Sequence, residues 1–250
     1  MTNTEAWDRV AAKQAEMAGH QEASIISYTS LLNGDDVSSE RDLRLLGSLE
    51  GKRVLEFGCG TGHNAVALVR QGAKAIAIEP SEQLAAHARR IAELSDVRIE
   101  VRVGDLADLA FLRAESVDVA LSAGALAEVA DLDRVLRQAH RVLKPNAAFV
   151  ISLPHPFAMC IGRDSVLADG QLALGKTLLT RSYLGEGTIS VDHLGESFNV
   201  ELRSLSTLFQ AFSRAGFAVD QLLELSPRNS SDSGPSLPST VIWRLRRQGL

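Results

Sequence analysis

Cysteine is scarce in this chain, which has only 2, Cys59 and Cys160. Two isolated thiols give no disulfide framework and no zinc-ligand spacing, and they suit a reducing compartment. The N-terminus lacks the basic start and apolar run of a signal peptide, and no apolar segment approaches the length that spans a membrane. We therefore expect a cytoplasmic protein with no membrane partner and no bound metal.

An excess of basic residues is also absent, since 26 Lys and Arg face 31 Asp and Glu, for a formal net charge of −5. Interspersed charges with this balance are not typical of proteins that bind a phosphate backbone, so we expect no nucleic-acid partner. At 250 residues and 45% hydrophobic content, the chain can bury one good α/β core, with no obvious room for a second domain.

A glycine-rich turn follows an apolar segment in the run Val54-Leu55-Glu56-Phe57-Gly58-Cys59-Gly60-Thr61-Gly62. Glycine has no Cβ, so the backbone can turn sharply out of a strand and approach a ligand closely. The helix that follows offers free N–H groups to that ligand. A dinucleotide-binding turn requires a glycine at its sixth position, but this position is His63, whose ring would obstruct the packing of helix on strand.

The spacing Glu-x-Gly-x-Gly-x-Gly, from Glu56 to Gly62, resembles motif I of the class I S-adenosylmethionine (SAM)-dependent methyltransferases. The resemblance implies an α/β fold with a Rossmann-like, doubly wound sheet of seven strands, mostly parallel with the last strand antiparallel. It also implies that SAM binds at the carboxyl ends of the strands and leaves as S-adenosylhomocysteine.

Strand and helix patterns alternate along the chain. Strands are predicted at Arg53–Phe57, 73–78, 97–103, 117–121 and 147–153, and helices at 64–71, 81–94, 131–144 and 205–215. Strands separated by helices imply parallel pairing with right-handed crossovers. Two later strand patterns, Phe217–Leu225 and 240–246, have no helix between them and predict the antiparallel ending.

We divide the single domain into four parts. Residues 1–50 form an N-terminal helical cap, with one or two helices between about residues 5 and 32, and residues 51–153 form the SAM-binding core. Residues 154–202, which are rich in glycine and polar groups, form a lid insertion after strand five that shapes the acceptor pocket. Residues 203–250 supply a last helix and the β-hairpin.

The resemblance also assigns roles to the strand ends. It places Glu56 near the methionyl amine, Glu79 at the ribose hydroxyls and Asp105 at the adenine amine. The full set of expected cofactor contacts is Glu56, Phe57, Gly58, Cys59, Gly60, Gly62, Glu79, Pro80, Asp105, Leu106, Ser122 and Ala123. Two alternatives stay open: Glu79 can serve as a charge at the following helix N-terminus, and Asp105 can be a turn aspartate.

The acceptor is predicted to be a small molecule. DNA amino-methylating relatives carry Asn/Asp-Pro-Pro-aromatic after strand four, whereas this chain has Ser122-Ala123-Gly124-Ala125 there. Cys160 has no surrounding motif typical of cytosine-5 enzymes. The chain is similar to methyltransferases of bacterial secondary metabolism and quinone biosynthesis. The methylated atom, a hydroxyl oxygen, an amine nitrogen or a carbon, stays open.

His155 is the first candidate for the general base, because it lies just past strand five between two prolines and its imidazole titrates near neutrality. The alternative is a structural histidine bonded to backbone. His193 and Tyr183 in the lid are further candidates. Glu128 occupies a place where relatives often carry histidine. Glu128 itself is either a base or a solvated carboxylate at a helix edge.

Other classes of function remain possible on the same scaffold. One is an enzyme of another class, such as a NAD-dependent oxidoreductase or a SAM-fold cyclase, and His63 argues against NAD. The other is a noncatalytic SAM-binding protein. Either a monomer or a homodimer is compatible with the sequence.

Overall fold

The computed structural model describes residues 2–17, 25–28, 38–161, 179–193, 195–226 and 237–249. The helices are α1 (Asn3–Met17), α2 (Glu40–Leu43), α3 (His63–Arg70), α4 (Glu82–Leu94), α5 (Leu132–Val142) and α6 (Leu205–Arg214). The strands are β1 (Ser27–Tyr28), β2 (Ser38–Ser39), β3 (Arg53–Phe57), β4 (Lys74–Glu79), β5 (Glu100–Val103), β6 (Val117–Ala123), β7 (Leu143–Pro154), β8 (Gly187–His193), β9 (Glu196–Leu202), β10 (Phe217–Leu225) and β11 (Thr240–Arg247).

Within the described residues, one 7-stranded sheet has the order β10-β11-β7-β6-β3-β4-β5. The strands β5, β4, β3, β6 and β7 pair in parallel, and β11 is antiparallel to both β7 and β10. This confirms the predicted α/β sheet with an antiparallel last strand. The strand order reverses between β3 and β6, and such a switch point opens a crevice for ligands at the carboxyl ends of the strands.

The sheet is covered on both faces, so both faces of β3 carry buried apolar side chains. Leu55 of β3 packs in the cluster that includes the apolar stripes of α5 and α6, while Val54 faces the opposite cluster with Leu68 of α3. Successive side chains of a strand point to opposite faces, so neighbouring residues reach separate cores. Phe57 of β3 and Phe149 of β7, in the same sheet, lie with their ring centroids 5.3 Å apart.

The bounds of the core elements agree with the sequence patterns except at a few ends. The helix predicted over 131–144 ends at Val142, and β7 begins directly at Leu143 instead of residue 147. Leu143 pairs with Val117, and the register between β6 and β7 then shifts. Pro145 therefore lies within an irregular strand start, where proline is tolerated, and does not by itself end the helix.

The N-terminal prediction is wrong in one described segment. Residues 25–28 fall in a region predicted to be helical, but Ser27–Tyr28 pairs antiparallel with Ser38–Ser39. Asn64 of α3 bonds both the N–H and the carbonyl of Ser27, at 2.8 and 2.9 Å, and the buried Tyr28 hydroxyl bonds Glu40. These tertiary contacts override the local periodicity. Residues 18–24 and 29–37 of the predicted cap lie outside the described residues.

The segment predicted as a lid contains regular structure in its described part. An antiparallel hairpin joins β8 to β9, from Gly187↔Leu202 to His193↔Glu196. Its β9 strand lies against α1, with Phe198 packed on Trp7 at a ring-centroid distance of 4.6 Å. Residues 162–178 of the predicted lid lie outside the described residues. Among the described helices, none is long and apolar enough to cross a membrane.

Candidate active site

A cavity of about 1000 Å³ lies at the switch point, where the carboxyl ends of β3, β4, β5 and β6 converge. The predicted cofactor residues that line it are Glu56, Gly58, Cys59, Gly60, Glu79, Pro80, Asp105, Leu106 and Ala123. Phe57, Gly62 and Ser122 do not line it, and Phe57 and Ser122 are fully buried behind it. Most of the residues predicted from four separate strand ends therefore meet at one place.

The three loop glycines adopt positive φ, at +68° for Gly58, +52° for Gly60 and +85° for Gly62. A Cβ on Gly58 would lie 2.1 Å from the Cβ of Ala125, and one on Gly62 would lie 2.7 Å from the Cβ of Ala88 in α4. A Cβ on Gly60 would meet no atom within 4 Å. Gly58 and Gly62 therefore allow neighbouring backbone to approach, while Gly60 leaves space on the cavity side.

Glu56 is the last residue but one of β3 and is 1% exposed. No described group forms a hydrogen bond with its Oε2 atom, and the nearby hydroxyl of Ser122 is also buried without a partner. Burial raises the pKa of Glu56 to about 8, although a hydrogen bond from Asn64 opposes that shift. A buried acceptor without a donor is costly, so this position suits a positively charged donor from a ligand.

Glu79 holds the glycine loop to the start of α4. Its Oε2 accepts from the N–H of Gly60 at 2.9 Å, and its Oε1 accepts from the N–H of Ser81 at 3.0 Å. Burial raises the pKa of Glu79, and these two backbone bonds oppose the shift. Each carboxylate oxygen can accept more than one hydrogen bond, so the helix-terminus role leaves room for ligand hydroxyls.

Asp105 follows β5 and makes the bonds of a turn aspartate while it faces the cavity. Its Oδ1 accepts from the N–H of Ala107 at 2.8 Å, and its Oδ2 lies 3.5 Å from Arg134 Nη1. The side chain is 60% exposed. Both alternatives for Asp105, the turn and the ligand contact, are compatible with this geometry.

The far side of the cavity combines helix α1, the end of β8 and the 3-10 turn Ala125–Glu128. Both carboxylate oxygens of Glu128 lie 3.0 Å from Trp7 Nε1, and Oε2 also accepts from Asn3 Nδ2 at 2.7 Å. Burial raises the pKa of Glu128 to about 7, against the effect of these hydrogen bonds. A carboxyl group that titrates near neutrality can act as a proton acceptor.

His193 is the predicted catalytic residue that the structure brings to the cavity. It is the last residue of β8, and its ring packs edge-on at 6.0 Å from Trp7 and 6.2 Å from Phe198. Tyr183 does not line the cavity. Its hydroxyl accepts from the N–H of Leu205 at 3.1 Å.

His155 also lies away from the cavity. Its Nε2 is 2.7 Å from Glu224 Oε1, and its Nδ1 accepts from the N–H of Phe157 at 3.2 Å. Burial lowers the pKa of His155, and Glu224 opposes that shift. The backbone N–H of His155 donates to the carbonyl of Ser239 at 2.8 Å, which draws the chain toward β11. These contacts match the alternative of a structural histidine.

Part of the chain is similar to proteins of known family. Residues 55–151 match a family model described as a methyltransferase domain. A crystal structure of an S-adenosylmethionine-dependent methyltransferase from Mesorhizobium loti has a TM-score of 0.70 at 29% identity, covering 83% of this chain and 96% of that chain. The matched segment is a methyltransferase domain, and these similarities support a class I SAM-dependent methyltransferase.

Curated relatives match this chain over part of their length. A probable S-adenosylmethionine-dependent methyltransferase of Mycolicibacterium smegmatis is 28% identical over 174 residues, 67% of this chain and 66% of that protein. A ubiquinone biosynthesis O-methyltransferase of Azorhizobium caulinodans is 33% identical over 111 residues, 44% of each protein. The chain thus spans less than two thirds of these two curated relatives.

Sequence analysis missed several side chains of this methyltransferase site. Asn3 and Trp7 reach Glu128 from α1, Asn64 reaches Glu56 from α3, and Arg134 reaches Asp105 from α5. Trp7 and Glu128 are separated by 121 positions, and no local pattern signals such a pair. Within the described part of the chain, no group of three or more His, Cys, Asp or Glu side chains could hold a metal ion.

Proposed function

We propose that this protein transfers the methyl group of SAM to a small-molecule acceptor. The observation that carries the proposal is the buried Oε2 of Glu56, which has no described partner and belongs to a residue that lines the cavity at the sheet's switch point. SAM has an ammonium group that would supply the missing donor. When bound, SAM supplies an electrophilic methyl group attached to a sulfonium.

The chain's own residues divide the binding of SAM among them in this proposal. Glu56 binds the methionyl amine, Glu79 accepts from the ribose hydroxyls with its remaining lone pairs, and Asp105 faces the adenine amine. The space beside Gly60 admits the cofactor close to the backbone. Pairing charges and hydrogen-bond donors in the cleft orients both reactants, which is the main requirement for a methyl transfer.

The names of the curated relatives support oxygen as the methylated atom, because several are ubiquinone biosynthesis O-methyltransferases. We therefore place a hydroxyl first among hydroxyl, amine and carbon acceptors. The N-terminal cap (1–50) and the lid (154–202) are proposed to cover the acceptor end of the cavity. We also propose a cytoplasmic monomer or homodimer that works without a nucleic-acid or membrane partner, supported by the net charge of −5.

Calorimetric titration tests the cofactor part of this proposal. We expect SAM and S-adenosylhomocysteine to bind and NAD to show no binding, because His63 stands where the dinucleotide turn needs glycine. Formation of S-adenosylhomocysteine with a panel of phenols, amines and active-methylene compounds then tests transfer. Tight NAD binding without SAM binding would contradict the proposal, and SAM binding with no turnover on any extract of candidate acceptors would favour a noncatalytic SAM-binding protein.

A further inference from the structure

We propose that Glu128 receives the proton of the methyl acceptor and lies beside the position of the transferred methyl group. The inference rests on the proposed function and deepens it. It also names the acceptor class: a molecule that presents a protic oxygen or nitrogen and carries no negative charge near that atom.

The backbone places Glu128 close to the cofactor loop. Strand β6 ends at Ala123, Gly124 turns with φ +94°, and the 3-10 turn Ala125–Glu128 begins at once. Ala125 lies so close to Gly58 that a Cβ on that glycine would be 2.1 Å from it. Glu128 is therefore three residues from the contact between the 3-10 turn and the glycine loop, and it lines the same cavity as Glu56.

The partners of Glu128 are uncharged, which distinguishes it from a structural ion pair. Trp7 Nε1 and Asn3 Nδ2 donate to its oxygens. Asn3 is itself fixed to Asn199 of β9, donating to its carbonyl at 2.7 Å and accepting from its N–H at 2.8 Å. A carboxylate has about four acceptor positions, so Glu128 is oriented by its neighbours and keeps capacity toward the cavity.

Helix α1 is anchored on two further sides, so these donors are held in place. Arg9 pairs with Glu196 of β9 at 2.7 Å, and Asp8 accepts from the hydroxyl of Ser81 at the start of α4. The donor side chains of α1 thus sit between the hairpin and the cofactor-binding core. This arrangement orients the Glu128 carboxylate without neutralising it.

The proposed proton transfer balances without any further reactant. The acceptor's lone pair forms the bond to the methyl carbon while the electron pair of the breaking C–S bond stays on sulfur. Glu128 takes the proton that the acceptor oxygen or nitrogen loses, and then releases it to water. A pKa raised by burial to about 7 leaves the carboxylate able to accept that proton near neutral pH.

The charges of the cavity define the acceptor class. The titratable side chains among its described lining residues are Glu56, Cys59, Glu79, Asp105, Glu128, Asp131, Arg134, His63 and His193. Carboxyl groups outnumber the one guanidinium, which itself lies 3.5 Å from Asp105. An anionic acceptor would approach the ionised form of Glu128, which is the form that accepts the proton, against like charge, whereas a neutral phenol or an amine would not.

Two SAM analogues test the position of Glu128 without knowledge of the acceptor. Sinefungin carries an amine-bearing carbon in place of the methylated sulfonium, while S-adenosylhomocysteine carries nothing there. We expect wild-type protein to bind sinefungin about tenfold or more tightly than S-adenosylhomocysteine, the scale of one charge-assisted hydrogen bond. In Glu128→Gln this preference should disappear while S-adenosylhomocysteine affinity stays within about twofold.

The matched control is Glu93→Gln, which removes the same charge from an exposed position on α4 and should keep the preference. An unchanged preference in Glu128→Gln would overturn the inference alone. Failure of the wild type and the control to bind S-adenosylhomocysteine would instead overturn the proposed function, and with it the inference. The methionyl amine is common to both analogues, so titration of Glu56 cancels in the ratio.

A wild-type measurement keeps the inference testable if Glu128→Gln does not fold. The chain has 2 tryptophans, so ¹⁵N-indole labelling gives one reporter at Trp7 and one internal reference at Trp243, which is 2% exposed in the core. The Trp7 indole signal should titrate near neutrality, and the preference for sinefungin should decline as the pH falls through the same midpoint. A Trp7 signal that does not titrate, or a preference independent of pH, would overturn the inference.

Discussion

Glu56 shows how a single buried carboxyl can report cofactor binding. Its pKa is raised to about 8, with burial as the largest cause. The Glu56 carboxyl is therefore mostly protonated at pH 7 in the protein without ligand. An ammonium group beside it would favour the charged form and lower that pKa. Proton release therefore becomes a signature of occupation of this subsite.

We predict that S-adenosylhomocysteine binding at pH 7 releases up to about one proton per site, by linkage between ligand and proton. The measurement is calorimetric titration in two buffers that differ in ionisation enthalpy. Glu56→Gln should abolish the release, and Glu93→Gln should retain it. Equal release in wild type and Glu56→Gln would show that the ligand's ammonium does not reach this carboxyl.

Glu79 has a structural role, since its oxygens accept from the N–H groups of Gly60 and Ser81, and a ligand-binding role is proposed for the same side chain. We predict that Glu79→Ala weakens S-adenosylhomocysteine binding by about 1–3 kcal/mol, the range for lost charge-assisted hydrogen bonds. Glu79→Gln keeps one acceptor oxygen, so its affinity for S-adenosylhomocysteine should fall between those of the wild type and Glu79→Ala. Calorimetric titration with a thermal unfolding curve separates affinity from stability, and unchanged affinity would restrict Glu79 to the loop and the α4 terminus.

At the scale of secondary-structure elements, Gly58 and Gly60 of the glycine loop differ in how closely other residues pack against them. Ala125 of the 3-10 turn occupies the space that a Cβ on Gly58 would need, whereas a Cβ on Gly60 would meet no atom within 4 Å. Both residues have positive φ, which an alanine adopts only at a cost. Only the first substitution also creates a clash with protein.

We predict that Gly58→Ala lowers the thermal unfolding midpoint by more than Gly60→Ala, because its Cβ must displace the 3-10 turn. Gly60→Ala should keep the fold and weaken S-adenosylhomocysteine binding, since its methyl group enters the space beside the ligand. Differential scanning fluorimetry and calorimetric titration measure the two effects. A Gly60→Ala variant that binds the ligand normally would place the cofactor away from this part of the loop.

The central strands could be predicted from the sequence because each is a short apolar run between helix signals. β3 (Arg53–Phe57) and β10 (Phe217–Leu225) have the predicted bounds. The strand-end carboxylates were also predictable, since parallel strands present their carboxyl ends at one edge. Local patterns of this kind identify the sheet and the cofactor end of the cavity.

The proposed acceptor end of the cavity depends on contacts between distant parts of the chain, which explains why the sequence indicated single residues there but not the contacts between them. Trp7 meets Glu128 across 121 positions, and Asn3 meets Asn199 across 196. His155 follows a strand end too, but Pro154 pairs with Thr240, and the chain then follows β11. The strand pairing that sets its direction was not visible in the local Pro-His-Pro pattern.

At the scale of the whole molecule, two carboxyl groups of the site keep their protons at pH values at which the same groups are ionised in the unfolded chain. Glu56 and Glu128 have pKa values near 8 and 7 in the folded state, against 4.5 in the unfolded reference. Between these limits the native state binds more protons than the unfolded state, so both carboxyls make the free energy of unfolding fall as the pH rises. Burial lowers the pKa of His63, His87, His140 and His155, and these groups act in the opposite direction below pH 6.5.

The contribution of Glu56 can therefore be isolated by comparison with one variant. We predict that Glu56→Gln gains stability relative to the wild type as the pH rises from 5 to 8, by at most about 1.4 kcal/mol per pH unit, the free-energy equivalent of one proton. Urea unfolding at several pH values measures this difference, since the histidines contribute equally to both proteins. Saturating S-adenosylhomocysteine should stabilise the wild type more than the variant at pH 8, because the charged Glu56 then has its ammonium partner. A stability difference that is constant with pH would mean that Glu56 is already ionised in the free fold.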